Sequence, residues 1–370
     1  MKRGLILWDR DELPMEEFTG RVEALERAMR TENLDAVVIY GDASQSGNLS
    51  YLTNFFPYAD TAVCVVPLSA PPRLFTTHAY RNMPWFRTTT WVEDIVCSED
   101  IGRESADFLS SLASPPRTIG LVNTGSFPYL ISETLQKKGG AALVDFTREY
   151  ENLRLLKSAR EMDFVRKAAG ISVECFKDLV PHLGKKVTGF DIAAELELAA
   201  RKRGAEDLLC FIQADDDPAG LTGPDSRRIQ RWCSIEVAVE YKGYWAKLGR
   251  TFVLASGPSA ILKRIDDFAQ ASRLAVESLS SGKNLRSFLN RMKTTLGAGG
   301  ENVDISLLVD YGLEPYWSTH LNENADMEKP LSDPIAVYLQ AFLSFFSSPR
   351  LLRTDTLILL DKKTVLATPF

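Results

Sequence analysis

The N-terminal part of the chain alternates between two hydrophobic periods. In residues 15–31, Phe18, Val22, Leu25 and Met29 recur at helical spacing, which predicts an amphipathic helix. Short apolar runs between turn residues predict strands at 36–40, 62–66, 73–76, 91–96, 118–122 and 142–146. Helical patterns near 103–113 and 127–138 separate several of these strands. Strands that alternate with helices predict an α/β domain.

The pattern changes near residue 150, where a longer helical stretch begins. Residues 151–183 carry charge on one face and apolar side chains on the other, which predicts one helix. Further helices are predicted at 191–203 and 261–280, and strands at 233–241, 244–253, 335–346 and 356–366. We therefore predict two domains, 1–148 and 151–370.

Composition and charge narrow the class of protein. The chain has 45% hydrophobic and 25% charged residues, which is typical of a soluble globular protein. Its net charge of −6 provides no basic field for nucleic acid or an anionic membrane, so we expect neither partner. No stretch is long and apolar enough for a membrane span, and the start lacks a signal-peptide core. The five cysteines are far apart and odd in number, which predicts reduced thiols in the cytoplasm.

Common catalytic and cofactor motifs do not occur in this sequence. There is no GxGxxG, GxxxxGK[ST], GxSxG or HExxH segment, so we expect no cofactor. The acidic run 215–217 could bind a cation, but a solvated loop is the more usual role of such a run.

The most informative segment is 236–252, which reads EVAVEYKGYWAKLGRTF. It resembles the pita-bread family of methionine aminopeptidase, aminopeptidase P, prolidase and creatinase. In the metal-dependent members, two Asp residues eleven positions apart flank a Gly-Tyr pair, and a Thr-Arg-Thr segment follows the second Asp. A hairpin brings the two carboxylates together, so that both bridge divalent ions about 3.5–4 Å apart.

Both carboxylate positions of this frame are changed here. Gly243-Tyr244 and Arg250-Thr251 match the family, but Glu236 stands at the first Asp position and Lys247 at the second. A protonated lysine has no lone pair to offer a metal and would repel it. The resemblance therefore implies a metal site that has lost a bridging ligand.

The resemblance extends over nearly the whole chain. Residues 152–161 look like the first helix of the family's catalytic domain, and residues 21–36 and 48–55 look like the domain that precedes it in prolidase and creatinase. This implies a creatinase-type α/β N-terminal domain followed by an α+β pita-bread domain. Members with this extra domain are commonly homodimers, so the resemblance also implies a homodimer.

The remaining ligand positions can be assigned by the same resemblance. Glu328, followed by Lys329 and Pro330, matches a family glutamate that precedes a proline. His320 lies eight residues before Glu328 and matches the family's histidine ligand. The next carboxylate position falls on Leu339, and the last one on Thr354, just before Asp355-Thr356. The family's catalytic histidine is missing, because no histidine lies between His182 and His320. We therefore expect no bound metal.

The roles of the candidate residues stay open at this point. Lys247 could form a structural ion pair with Glu236 or Glu240, or could act as a base or amine nucleophile. His320 could be a general base or could only hydrogen-bond within a loop. The further candidates are Glu236 and Glu328 as catalytic carboxylates and Tyr244, Tyr316, Leu339 and Thr354 as the lining of a ligand pocket.

Three functions are compatible with this sequence. The first is a pseudoenzyme, a non-peptidase that binds a small polar molecule or a partner in the old cleft. The second is a metal-independent enzyme that acts on a small amide, amidine or amino-acid derivative through Lys247 and His320. The third is a residual Xaa-Pro peptidase. Because fold does not determine function, the site must decide between them.

Overall fold

The structure, a computed structural model, describes residues 7–68, 70–184, 187–215, 220–254, 259–279, 285–296, 302–310, 312–313, 319–320, 333–345 and 348–370. The described residues form two compact units. The first lies within Met1–Leu155 and also includes Gly312 and Leu313, and the second takes the rest from Leu156 to Phe370.

The first unit contains a sheet of mixed direction with helices around it. Among the described residues the strand order is β4-β3-β2-β1-β5-β6, where β1 is parallel to β5 and antiparallel to β2. The strands are β1 Ala36–Asp42, β2 Thr61–Pro67, β3 Arg73–Thr76, β4 Ile95–Cys97, β5 Thr118–Val122 and β6 Ala142–Asp145. The helices are α1 Met15–Thr31, α2 Gly47–Thr53, α3 Met83–Thr89, α4 Ile101–Ser111, α5 Tyr129–Gly139 and α6 Thr147–Leu155, with a 3₁₀ turn at Tyr80–Asn82. The α/β prediction is confirmed.

The expectations for this unit differ from the structure at one strand and at two short helices. A strand was predicted at 91–96, but the structure has one only at Ile95–Cys97, where the backbone pairs with β3. Helices α2 and α3 were not predicted from the sequence, since seven residues each are too few to show a helical hydrophobic period.

The long helix predicted at 151–183 is broken into two helices. Helix α6 ends at Leu155, and α7, Ala159–Leu179, begins after a capping box in which Ser158 and Glu161 exchange hydrogen bonds of 2.7 and 3.1 Å. The boundary predicted at 148–151 lies within α6. The structure divides after Leu155 instead, because α6 is fixed to the first unit by the Tyr150 hydroxyl, which donates to the carbonyl of Asn48 at 2.9 Å.

The second unit is built on an antiparallel sheet. Its order among the described residues is β11-β10-β12-β13-β9-β8-β7, with β14 paired to β13. The strands are β7 Asp207–Ala214, β8 Trp232–Tyr241, β9 Tyr244–Val253, β10 Asn302–Val309, β11 Thr319–His320, β12 Ile335–Phe345, β13 Ser348–Leu360 and β14 Lys363–Leu366. The other helices are α8 Gly189–Lys202, α9 Ser259–Leu279 and α10 Leu285–Leu296, with a 3₁₀ turn at Val180–His182. This α+β arrangement agrees with the fold that the resemblance implied.

Strand alternation divides this sheet into two chemically different faces. Helix α7 packs on one face, where Phe164 lies 5.6 Å from Tyr244 and Phe176 lies 5.7 Å from Phe252, measured between ring centroids. Because successive side chains of a strand point to opposite faces, Lys247 lies on the other face. We call the face that packs on α7 the helix face, and the one that carries Lys247 the site face.

The turn between β8 and β9 fixes which residues reach each face. Tyr241 pairs with Tyr244, so the hairpin has a two-residue loop of Lys242 and Gly243. Both loop residues have positive φ, 51° and 83°, which is what a hairpin turn compatible with strand twist requires. The same register places Glu236 opposite Gly249 and Ala238 opposite Lys247.

Candidate functional site

One row of residues crosses the sheet on the site face. Glu236 on β8 pairs with Gly249 on β9, Gly249 pairs with Thr354 on β13, and Thr354 pairs with Gln340 on β12. Directly opposed residues share a face, so side chains from distant parts of the chain meet here. The row is the centre of the candidate site.

The carboxylate of Glu236 is buried and receives its hydrogen bonds from uncharged groups. Only 2% of Glu236 is exposed. Its Oε2 atom accepts from the Gln340 amide at 2.7 Å and from the Thr354 hydroxyl. These two donors use the lone pairs of that oxygen, which in a metal site would be directed at an ion.

Gly249 provides the space in which Thr354 reaches Glu236. A Cβ atom at Gly249 would lie 2.7 Å from the Thr354 hydroxyl oxygen and 2.9 Å from its Cβ. Both distances are below normal contact distance, so no larger residue fits without moving β13. The glycine and the threonine therefore form one packing unit beneath the carboxylate.

Lys247 is the second charged residue of the site and is 3% exposed. Its backbone is fixed by Thr356, whose hydroxyl accepts from the Lys247 N–H at 2.7 Å and donates to its carbonyl at 2.9 Å. The ammonium lies 4.8 Å from the ring centroid of Tyr338, within the range of a cation–π interaction. Tyr338 is held in turn by a 3.1 Å hydrogen bond from its hydroxyl to the carbonyl of Trp245.

Burial and nearby carboxylates act on Lys247 in opposite directions. Burial lowers the pKa of Lys247 and is the largest influence, whereas the negative charges of Glu236 and Asp310 raise it. Glu236 receives its hydrogen bonds from Thr354 and Gln340, so its effect on Lys247 is an attraction through space. Lys247, Glu236 and Asp310 thus form a buried charge cluster, and both roles predicted for Lys247 remain predictions.

Two residues of the site, Asp310 and Gln340, were not predicted from the sequence. Asp310 follows β10 directly, is 5% exposed, and its carbonyl accepts a 2.6 Å hydrogen bond from the Lys157 ammonium. An acidic residue that ends an apolar run is the signal that could have identified it. The position of Gln340 depends on the register between β12 and β13, which the sequence does not reveal.

Two of the predicted pocket residues lie on the wrong face of the sheet. Leu339 pairs with Asp355 and therefore lies on the helix face. Gln340, which pairs with Thr354, occupies the site-face position that the sequence analysis gave to Leu339. Tyr244 lies on the helix face, where its hydroxyl donates to Glu161 at 2.5 Å. The reason is its spacing from Lys247, because residues three apart on one strand point to opposite faces. Neither Tyr244 nor Leu339 lines the site.

The other candidates are described only in part. His320 pairs through its backbone with Leu308 on β10, and Leu308 pairs with Tyr338, so the backbone of His320 lies in line with the row of Lys247. The His320 side chain, Tyr316 and Glu328 lie outside the described residues.

The helix face holds a separate cluster of charge. Asp355 is completely buried and accepts from Arg250 at 2.6 Å and from Arg353 at 2.7 Å. Arg250 also donates to the carbonyl of Thr354 at 2.8 Å. Burial lowers the pKa of Arg250 to about 10, and Asp355 opposes this, so the guanidinium keeps its charge at neutral pH. The cluster links β9 to β13 behind the candidate site.

The described residues of the site differ from the donors that hold two divalent ions in such enzymes. Such centres use carboxylate and imidazole ligands. The described part of the site offers the carboxylate of Glu236 beside an ammonium, a hydroxyl and an amide. Within the described residues no group of three or more His, Cys, Asp or Glu side chains is arranged to hold a metal ion.

Family patterns match two consecutive parts of the chain. The Creatinase/Prolidase N-terminal domain matches residues 21–156, and metallopeptidase family M24 matches residues 163–312. A curated relative, the uncharacterized peptidase YqhT of Bacillus subtilis (strain 168), is 23% identical over 262 residues, which are 66% of this chain and 68% of that protein.

Solved structures share the fold over almost the full length. The Xaa-Pro dipeptidase from Bacillus anthracis has a TM-score of 0.78 at 18% identity and covers 95% of this chain and 98% of its own. The X-Pro aminopeptidase from Thermotoga maritima MSB8 also has a TM-score of 0.78, at 16% identity, with 94% and 97% covered. A prolidase from Pyrococcus horikoshii OT3 has a TM-score of 0.77 at 17% identity, with 94% and 98% covered. These matches confirm the pita-bread fold. Separately, none of the described helices combines the length and apolarity that crossing a bilayer requires.

Proposed function

The chain belongs to the pita-bread metallopeptidase family, and we propose that it is a non-peptidase member that binds a small polar molecule or a partner in the old cleft. On this proposal the dinuclear metal site is lost, and a buried charge cluster around Glu236 and Lys247 takes its place. A cytoplasmic location and a homodimer belong to the same proposal. The cysteines, none of which is in a disulfide, are compatible with that location.

The observation that carries this proposal is the position of Lys247. Its ammonium is buried on the site face, where Glu236 and Asp310 are close enough to raise its pKa. A fixed cation in this place compensates negative charge that metal ions would otherwise compensate, and it would repel an incoming divalent ion. The uncharged donors on Glu236 support the same conclusion.

A metal-independent enzyme is the second candidate, and one observation favours it. Burial lowers the pKa of Lys247, and a lysine of lowered pKa can serve as a base or amine nucleophile towards a small amide, amidine or amino-acid derivative. Once a turnover is found, Lys247→Ala and His320→Ala test this candidate. Unchanged turnover in both variants would remove these residues as catalysts.

The experiment that tests the main proposal compares the natural chain with one whose ligand positions are restored. The variant carries Lys247→Asp, Gln340→Glu and Thr354→Glu. We expect Mn²⁺ to raise the Tm of this variant, because an ion that binds the folded state stabilises it. The Tm of the natural chain should stay unchanged, because we expect it to bind no ion. Lys363→Asp, at an exposed strand position, is the matched control for an added carboxylate.

Hydrolysis of Xaa-Pro dipeptides is measured in parallel, with and without Mn²⁺. We expect no metal-dependent cleavage by the natural chain. Metal-dependent cleavage, or a Mn²⁺-induced rise in the Tm of the natural chain, would contradict the proposal and favour a residual Xaa-Pro peptidase.

A further inference from the structure

The first unit contains a cavity that neither the fold nor the site explains. It has a volume of about 750 Å³, within the usual range of small-molecule sites. It lies between residues 8–10, the start of α1 and residues 87–93. The segment before α1 is held in place by the backbone N–H of Trp8, which donates to the carbonyl of Thr88 at 2.9 Å.

The apolar wall of this cavity is preorganised by two indoles. The N–H of Trp8 donates to the carbonyl of Leu13, and that of Trp91 to the carbonyl of Leu52, each at 2.7 Å. Phe18 supports both rings, with centroids 5.7 Å from Trp8 and 5.9 Å from Trp91. The indole N–H groups are thus satisfied within the protein, and the rings offer apolar surface to a ligand.

Four charged side chains line the same cavity in balanced numbers. Arg10 and Arg87 are cations, and Glu16 and Glu93 are anions. Among the described residues none of these four forms an ion pair or a side-chain hydrogen bond. The guanidinium of Arg10 instead stacks 4.6 Å above the ring of Trp8, which leaves its N–H groups available.

We propose that this cavity binds a small zwitterion with an aromatic side chain, the chemistry of an aromatic amino acid or a short peptide that contains one. A ligand of a single charge sign would meet two groups of its own sign. A zwitterion instead places its carboxylate near the arginines and its ammonium near the glutamates, while the aromatic side chain lies on the indoles. This cavity lies wholly in the first unit, so the proposal for it does not depend on the function proposed for the site in the second unit.

Calorimetric titration of the full chain with L-phenylalanine tests each part of this chemistry. We expect L-phenylalanine to bind and L-alanine, L-phenylalanine amide and N-acetyl-L-phenylalanine to bind at least about tenfold more weakly, since each lacks one recognised group. Glycyl-phenylalanine distinguishes the two sources, because tighter binding than L-phenylalanine indicates a peptide and weaker binding a free amino acid. Absence of binding by both L-phenylalanine and the dipeptide would overturn the proposal.

Substitutions then locate the binding in the cavity. Arg10→Gln, Arg87→Gln, Glu16→Gln and Glu93→Gln change exposed residues, so the fold is retained, and we expect each to weaken binding about three- to tenfold. Arg81→Gln and Glu99→Gln are the matched controls, since both residues are exposed and outside the cavity. Equal affinity in the cavity variants and the controls would show that the ligand binds elsewhere and would overturn the proposal.

Discussion

Residues of β9 and β13 alternate between the two faces of the second unit's sheet. The two faces differ in which residues of the family pattern they keep. On the helix face, Arg250 and Asp355 form a buried ion pair at 2.6 Å, and Tyr244 is bonded to Glu161. On the site face, Lys247 and Thr354 stand where the resemblance expects carboxylate ligands. The helix face keeps the family residues Tyr244, Arg250 and Asp355. The site face keeps Thr251 and Thr356 but has changed at the ligand positions Lys247 and Thr354.

Strand alternation lets the residues that hold the fold and the residues of the site change independently. Because neighbouring residues point to opposite faces, substitutions at Lys247 and Thr354 leave the contacts of Arg250 and Asp355 intact. The chain can therefore retain the pita-bread fold while its site acquires different groups. We therefore expect the loss of one charge to lower the free energy of unfolding by different amounts on the two faces.

The largest effect is expected on the helix face, from Asp355→Asn. The substitution leaves Arg250 and Arg353 buried without their shared carboxylate, so the free energy of unfolding should fall by about 3–5 kcal/mol. Urea denaturation measures this change. Asp361→Asn, at an exposed turn position, is the control, and a loss below about 1 kcal/mol for Asp355→Asn would contradict a scaffolding role for the cluster.

A smaller loss is expected on the site face, from Lys247→Met. Glu236 keeps its hydrogen bonds from Gln340 and Thr354, so the free energy of unfolding should fall by only about 1–3 kcal/mol. In the double variant Glu236→Gln, Lys247→Met both charges are gone, and most of this loss should be recovered. A double variant that is less stable than the single one would show that the two residues do not act as a charge pair.

Tyr244→Phe should cost about 1–2 kcal/mol, because it removes one buried hydrogen bond to Glu161 and keeps the ring packed on Phe164. Urea denaturation again measures the loss. Lys247 in this variant should titrate as it does in the natural chain, since Tyr244 lies on the other face. A shifted Lys247 titration would place Tyr244 in the site after all.

The smallest effect concerns pH. Burial lowers the pKa of Lys247 in the folded chain below its ordinary value of 10.5, which applies to the unfolded chain. Between the folded-state pKa and 10.5, the unfolded chain therefore binds a proton that the folded chain does not. Stability from this group therefore rises with pH in that window and is constant below it. The stability difference between the natural chain and Lys247→Met should shift in favour of the natural chain as the pH approaches 10.5. A difference that stays constant, or shifts the other way, contradicts a lowered pKa.

The sequence predicted the fold well because hydrophobic period and turn chemistry are local properties. The strands around Lys242-Gly243 and the helix ending near Thr31 were predicted to within a residue or two. The break at Ser158 was missed, although the capping pair Ser158 and Glu161 was present to indicate it.

The site was harder to predict because it is assembled by register. Glu236 and Lys247 could be assigned, since one hairpin with a recognisable turn contains both. Leu339 was chosen in place of Gln340 because a one-residue error along β12 moves a side chain to the other face. Asp310 lies after a strand whose place in the sheet the sequence does not disclose.

A count of bound ions decides whether this pita-bread protein holds a dinuclear metal centre. The natural chain would be produced in medium supplemented with manganese, cobalt and zinc, freed of loosely bound metal by gel filtration, and analysed by mass spectrometry of the elements. We expect fewer than one ion per chain, because Lys247 opposes ion binding. Two tightly bound ions per chain would contradict it.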